Sequence, residues 1–303
     1  MTIIQLEYLL AVVNCGSFSA AADRSFVTQP SLSMQIKNLE QELGVILLDR
    51  SKKPVVPTQV GEIVVGRARE ALLAYNSVKE CVQEMKGNIA GHLRLGVIPT
   101  IAPYLLPKFV HRFGERYPKV ELKIREMVTA DIIRAMDHDE LDAAIMAGGT
   151  CPERITEQEM FDDRFYAYVS PENPLYGRNS LRVEDIQPRE LILLAEGHCL
   201  RDQILELCGQ HRSAKLSYYF QSGSLETLMR IVDSTQLVTI VPEMTLPYIS
   251  AEHRSQIKTL SKGATSRKIV MAVRRTYAKE SIIAALKEVV IDCATKKTAQ
   301  KNS

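Results

Sequence analysis

The chain has no long apolar run; stretches such as Leu191 to Ala195 last only a handful of residues. A helix that crosses a bilayer needs about 20, so no transmembrane segment is expected. It also lacks a convincing secretion signal. Tyr8 to Val13 followed by Ala20-Ala21-Ala22 imitates one, but Glu7 stands where a positive segment should be and the first basic residue is Arg24. A cytoplasmic location is expected. Charge of one sign is missing as well: the net charge is +2, and residues 1–65 hold five Lys/Arg (Arg24, Lys37, Arg50, Lys52, Lys53) against six Asp/Glu. Bulk charge therefore gives no support to nucleic-acid binding, which must be argued from pattern. There is no repeat and no low-complexity segment, only a polar tail from Lys296 that is expected to stay disordered. The six cysteines (15, 81, 151, 199, 208 and 293) lack the paired spacing of a structural zinc site. In a reducing compartment they should be free thiols, and any pair that matters should be catalytic or redox-sensing.

What is present begins with a helical N-terminus. Leu6, Leu9, Leu10 and Val13 share one face of a short helix, broken at Asn14-Cys15-Gly16-Ser17. Phe18 to Asp23 reads as a second helix whose alanines allow close approach. Thr28 is a good N-cap and Pro30 fits the first turn of a third helix, about Gln29 to Leu43, which stops at Gly44. Leu32, Ile36, Leu39 and Leu43 make its inward stripe. The outward face carries Pro30, Ser33, Met34 and Lys37, with Gln29 and Ser31 near the tip, a set that suits a major groove. Arg50-Ser51-Lys52-Lys53, stiffened by Pro54 and Pro57, suits phosphates. Pattern alone leaves open a three-helix domain whose polar face is merely solvated.

The stretch FSAAADRSFVTQPSLSMQIKNLEQELGVILLDRSKKPVVPTQVGEIVV, residues 18–65, resembles the winged helix-turn-helix of LysR-type transcription regulators along its whole length. The resemblance implies that the helix opened by Thr28 enters operator DNA and that Arg50 to Thr58 is the wing. Beyond it, Val64, Ala68, Ala71, Tyr75, Val78, Val82 and Met85 recur at spacings of 4 and 3, a three-heptad seam. Such a helix packs on its own domain or pairs with a second copy. The resemblance favours pairing, hence a homodimer or, by family likeness, a homotetramer, with RNA polymerase as an implied partner.

After Gly91 short apolar strands alternate with helices, which suggests a parallel α/β arrangement. Strands are expected at Leu93–Ile98, Val120–Arg125, Leu141–Met146, Phe165–Val169, Leu191–Ala195, Leu216–Gln221 and Leu237–Val241. Helices are expected at Ile101–Tyr117, Thr129–Asp137 and Lys279–Ala294, the last returning to the first lobe. The family likeness implies a two-lobed, periplasmic-binding-protein-like regulatory domain. The expected organisation is α + α/β: a winged helix-turn-helix over 1–65, a linker helix over 66–90 and a regulatory domain over 91–303. Its lobe I would take about 91–161 plus 266–295, and its lobe II about 162–265.

One short segment carries chemistry. Ala195 to Gln203 leaves a strand, turns at Gly197 and opens a helix, which places Cys199 at a helix N-terminus with His198, Arg201 and Asp202 close by. Unpaired N–H groups and nearby positive charge favour a thiolate over a thiol, and a thiolate is what peroxide oxidises. On residues alone, three readings compete with a redox sensor: two buried structural cysteines, a zinc site of His198, Cys199, Cys208 and His211, and a thiol peroxidase. A DNA-reading domain has no use in the last.

The string GHCLRDQILELC, residues 197–208, resembles the redox segment of the peroxide-sensing members of the LysR family, and the likeness extends through the chain. It implies that Cys199 reacts with hydrogen peroxide, that Cys208 resolves the product as a disulfide, and that cellular thiol reductants reset it. It also suggests that Thr100 and Thr129 supply hydroxyls around the peroxide, with Arg267 a nearby stabilising charge. An intact helix would hold Cα199 and Cα208 roughly 13 Å apart, whereas a disulfide tolerates no more than about 7 Å. If these two cysteines pair, the segment between them must rearrange. An ordinary LysR-type regulator sensing a small metabolite between its lobes is the alternative. No cofactor or metal is expected. Cys15, Cys81, Cys151 and Cys293 have no comparable setting; Cys151, beside Pro152, is expected in an exposed loop. His92, His111, His138 and His253 read as surface or capping residues.

Overall fold

The computed structural model describes residues 1–85, 89–208, 223–261, 266–274 and 279–295. They fall into two compact units that divide between Asn88 and Ile89. The expected strand at 216–221, His211 and the tail from Lys296 lie outside the described residues.

The first unit contains α1 (Ile3–Cys15), α2 (Phe18–Arg24), α3 (Gln29–Leu43), a small hairpin of β1 (Leu48–Asp49) and β2 (Val56–Pro57), and the long α4 (Gln59–Met85). Each short helix is started by a hydroxyl. Thr2, Ser17 and Thr28 accept from the backbone N–H of Gln5, Ala20 and Ser31, satisfying donors that a first turn leaves unpaired. Gly16 and Gly44 end α1 and α3 in the left-handed region, at φ +63° and +67°. The core joins Leu6, Leu9, Leu10 and Val12 of α1 to Ala21 and Ala22 of α2 and to Leu32, Ile36 and Leu39 of α3. Each large side chain so buried contributes about 1.5–3 kcal/mol.

Four expectations change here. Val12 rather than Val13 is fully buried on α1, and Leu43, in the last turn of α3, is exposed. The long helix begins at Gln59, ahead of the expected linker boundary, and its buried stripe is Val65, Ala68 and Leu72. Of the expected seam, Ala68 is buried and Val64 packs at the edge of the core, while Ala71, Tyr75 and Val78 face outward. A 4-3 spacing fixes the period of an apolar stripe but not its phase, and the buried set shares only Ala68 with the expected seam. The side chains of Cys81, Val82 and Met85 lie outside the described residues.

The second unit opens as expected, with parallel β3 (Gly91–Val97) and β4 (Val120–Glu126) joined by α5 (Ala102–Arg116). Next come α6 (Thr129–Asp137) and β5 (Ala143–Ala147), which lies parallel to β3 on its other side. From there the sheet is mixed, not parallel. β6 (Ile155–Val169) runs for 15 residues. It is followed by β7 (Ser180–Arg182), α7 (Cys199–Leu207), α8 (Leu225–Asp233), β8 (Val238–Pro242), β9 (Ile257–Ser261), β10 (Ser266–Arg274) and α9 (Glu280–Thr295).

β10 inserts antiparallel between β5 and β6, giving the order β4-β3-β5-β10-β6. The C-terminal part of β6 then lies antiparallel between β8 and β9 in a second sheet, where β7 pairs with β9. One strand thus runs through two sheets, and the two lobes meet along it. At the crossing, Arg267 of β10 is in register with Asp163 of β6. Leu191–Ala195 is not a strand; it makes one bridge, Leu191 to Val238, and Ile192 N–H donates to Val238 O at 2.9 Å. α9 returns to pack on α5 and β6, as expected.

Candidate functional site

The elements around Cys199 follow one rule: the groups of interest stand where strand-like segments turn into helices. Thr100 lies in the turn before α5, Thr129 opens α6, and Cys199 opens α7. Gly197 makes the last of these turns at φ +92°, a backbone that side chains with a Cβ rarely adopt. A Cβ there would sit 3.9 Å from Val128 Cγ2, so the turn before Cys199 lies against the residue before Thr129.

Cys199 is buried, as is His198 before it. His198 is the helix cap residue but makes no side-chain capping bond, and a Cβ at Gly223 would lie 3.4 Å from its Nε2. Burial pulls the His198 imidazole below the usual histidine range, since it disfavours the charged form. Burial thus works against a positive charge on His198 beside the thiol. Arg201 donates through Nη1 to Leu194 O at 3.0 Å, tying the first turn of α7 to the segment that precedes it. Asp202 is exposed.

Cys208 follows the last residue of α7 with helical backbone angles, and its N–H donates to Ile204 O at 2.9 Å. Both thiols are free. Nine positions of unbroken helix, at about 1.5 Å per residue, carry the chain from Cys199 to Cys208, so the two cysteines stand at opposite ends of α7. Burial raises the Cys208 thiol above its ordinary range.

Thr100 is bound to a buried ion pair. Arg267 Nη1 donates to Thr100 Oγ1 at 2.9 Å, and its Nε and Nη2 donate to Asp163 Oδ2 at 3.0 and 2.9 Å. Neither charged side chain has any exposure. Thr129 Oγ1 is buried with no hydrogen-bond partner. A cavity of about 690 Å³ runs beside α7, with Gln203, Glu206 and Leu207 on one wall and Gly149, Glu157 and Arg267 on the other.

Sequence reasoning missed two neighbours. Asp163 stands in a polar run, DDR, that carries no motif and is 104 positions from its partner. Cys151 is half-buried rather than exposed. Its Sγ lies 3.7 Å from Met146 Sδ, and burial, with Glu157 and Cys199 adding to it, pushes its thiol up to about 12. His138 caps α6 by contacting Arg134 O at 2.7 Å, whereas His253 joins a polar network with Gln256 and Asp233.

In the first unit, Thr28, Gln29, Pro30, Ser31, Met34 and Lys37 are exposed, and Ser33 is half-buried. Arg50 is less free than its neighbours. It donates to Glu40 Oε2 at 2.8 Å and lies 4.9 Å from the Phe18 ring centre, while Glu40 Oε1 also accepts from the N–H of Leu47 and Leu48. Lys52 and Lys53 are exposed on the hairpin turn, and Pro57 belongs to β2 rather than to the turn. Among the described residues no helix is long and apolar enough to cross a membrane, and no group of three or more metal-ligating side chains gathers.

Comparison with known proteins agrees with this division. Residues 3–62 match the "Bacterial regulatory helix-turn-helix protein, lysR family" and residues 86–292 match the "LysR substrate binding domain". A "Hydrogen peroxide-inducible genes activator" of Pectobacterium carotovorum is 36% identical over 247 residues, 82% of each chain. The "DNA-binding transcriptional dual regulator OxyR" of Escherichia coli is 35% identical over 247 residues, 82% of this chain and 81% of its own. Among solved structures, a full-length OxyR variant from Pseudomonas aeruginosa superposes with a TM-score of 0.79 at 31% identity, covering 97% of this chain and 98% of that one. A Corynebacterium glutamicum OxyR mutant described as H2O2-bound reaches 0.62 at 28% identity, covering 97% and 94%. With a family match over most of its length and relatives above 30% identity, the chain belongs to the LysR family of bacterial helix-turn-helix regulators.

Proposed function

We propose that the chain is a cytoplasmic transcription activator that binds operator DNA through its first unit and is switched by hydrogen peroxide at Cys199. The observation that carries the reading is α7 itself: a buried cysteine opens the helix, a second free cysteine closes it, and the intact helix keeps them apart. Its relatives' descriptions as peroxide-responsive activators point the same way.

The Cys199 thiolate attacks one peroxide oxygen, the O–O bond breaks, hydroxide leaves and takes up a proton, and the sulfur becomes a sulfenic acid. The Cys208 thiol then displaces water from that sulfur and forms a disulfide, which requires α7 to open. A thiol reductant restores both thiols. Thr100, Thr129 and Arg267 surround the peroxide, while Arg201 holds the first turn of α7 and His198 is buried beside Cys199. The reaction occurs once per signal, so the chain acts as a regulator and not as a turning-over peroxidase. Thr28 to Lys37 read bases and phosphates, Lys52 and Lys53 contact the flanking backbone, and the outward face of α4 pairs two copies, in a dimer or tetramer that engages RNA polymerase.

Near-stoichiometric peroxide added to the purified chain, with thiols mapped by mass spectrometry, tests this. A Cys199–Cys208 bond within minutes, lost in Cys199→Ser, is expected. Free thiols after exposure would instead favour a metabolite sensor, for which the cavity beside α7 is the specific support.

A further inference from the structure

We propose that Asp163 is a positioning residue for the peroxide reaction: by fixing Arg267 it commits the Thr100 hydroxyl to donating its proton toward the leaving oxygen. The inference rests on the reading of Cys199 as the peroxide-reactive thiol.

Asp163 sits where β6 passes from one sheet to the other, opposite Arg267 of β10. Its Oδ2 accepts two guanidinium bonds and its Oδ1 accepts the backbone N–H of Met244 at 3.1 Å. The carboxylate is thus held from both strands' surroundings and cannot swing. Arg267 in turn spends Nη1 on Thr100 Oγ1, and a weaker contact of 3.4 Å reaches Thr100 O. A guanidinium can only donate, so Thr100 Oγ1 must accept from it, and the single hydroxyl proton is left for another acceptor. Thr129 Oγ1 is buried and has no partner, so it can donate or accept as a bound oxygen requires. One hydroxyl of the pair is therefore committed and the other adaptable.

When the Cys199 thiolate attacks, negative charge develops on the departing oxygen, which leaves as hydroxide and is protonated from solvent. A preset donor stabilises that charge without having to turn at the moment of reaction. Without Asp163, Arg267 loses the anchor of two of its nitrogens, and Thr100 loses the donor that orients it.

The test compares two reactions of Cys199 in the full chain: trapping of the sulfenic acid after peroxide, and alkylation by iodoacetamide, which needs a thiolate but no donor to a leaving oxygen. Asp163→Asn and Thr100→Val should each slow the peroxide reaction by about 10- to 100-fold while alkylation changes less than about 3-fold. Thr100→Ser, which keeps the hydroxyl, should stay near the native rate. The Asp163→Asn/Arg267→Met double variant removes both buried charges; it should regain the melting temperature that the single variant loses and yet remain slow toward peroxide. A double variant that reacts at the native rate overturns the proposal, as does Thr100→Val at the native rate whatever the Asp163 variants do. Equal slowing of both reactions also overturns it, since Asp163 would then act only on the fold. If native Cys199 forms no sulfenic acid at all, it is the peroxide reading beneath the proposal that fails.

Discussion

His198 and Thr129 illustrate how a single buried group ties stability to function in this chain. Burial of His198 disfavours its imidazolium, and the unfolded chain titrates near 6.5. As pH falls through that value, the unfolded state takes up a proton that the folded state refuses. Stability is therefore fully present above about pH 7 and declines toward pH 5. A chemical-denaturation series should show this decline, and His198→Asn should flatten it; an unchanged slope would remove His198 as its source. Thr129 presents the opposite economy. Its hydroxyl is buried and unpartnered, so Thr129→Val should leave stability within about 1 kcal/mol or raise it slightly, while slowing peroxide oxidation of Cys199. A loss of several kcal/mol would mean that the hydroxyl is structural.

At the scale of elements, α7 is the helix that must open. Replacing the exposed Glu206 with glycine weakens the last turn of α7 by up to about 1 kcal/mol, which raises the opened population by up to about five-fold. Glu206→Gly should thus speed disulfide formation by up to that factor and leave sulfenic acid formation unchanged, as stopped-flow with thiol trapping would reveal. Basic residues of the first unit fall on α3, which carries Lys37, and on the β1–β2 hairpin, which carries Arg50. Lys37→Ala should lower the salt dependence of operator binding by about 0.9 in log–log slope without affecting stability. Arg50→Ala should instead lower the melting temperature of the first unit, because it unpairs Glu40 from the Arg50 guanidinium.

Much of this layer was legible in the sequence. Thr28, Pro30 and Gly44 marked both ends of α3, and the bounds of α6 were read directly, because caps are local chemistry. Non-local pairing was not legible. The first half of β6, with its ITEQEMFDD run, has no apolar alternation, and it becomes a strand only because β10, over a hundred residues later, lies beside it. The same distance hid Asp163. Cys199 at a helix start could be read; the downward shift of His198 could not, since it depends on Gly223 and the rest of its burial.

At the scale of the whole chain, α4 leaves Tyr75 and Val78 exposed, and within the second unit one strand, β6, runs through both sheets and so joins its two lobes. If peroxide switches the chain through Cys199, sensing and shape change are one event, because Cys199 and Cys208 cannot meet across an intact α7. Hydrogen exchange of residues 199–208, followed at intervals after one equivalent of peroxide and read beside the yield of the Cys199–Cys208 bond, tests it most directly. Amide protection across α7 should fall in step with disulfide yield and return on reduction. A disulfide formed while α7 keeps its protection would contradict the account.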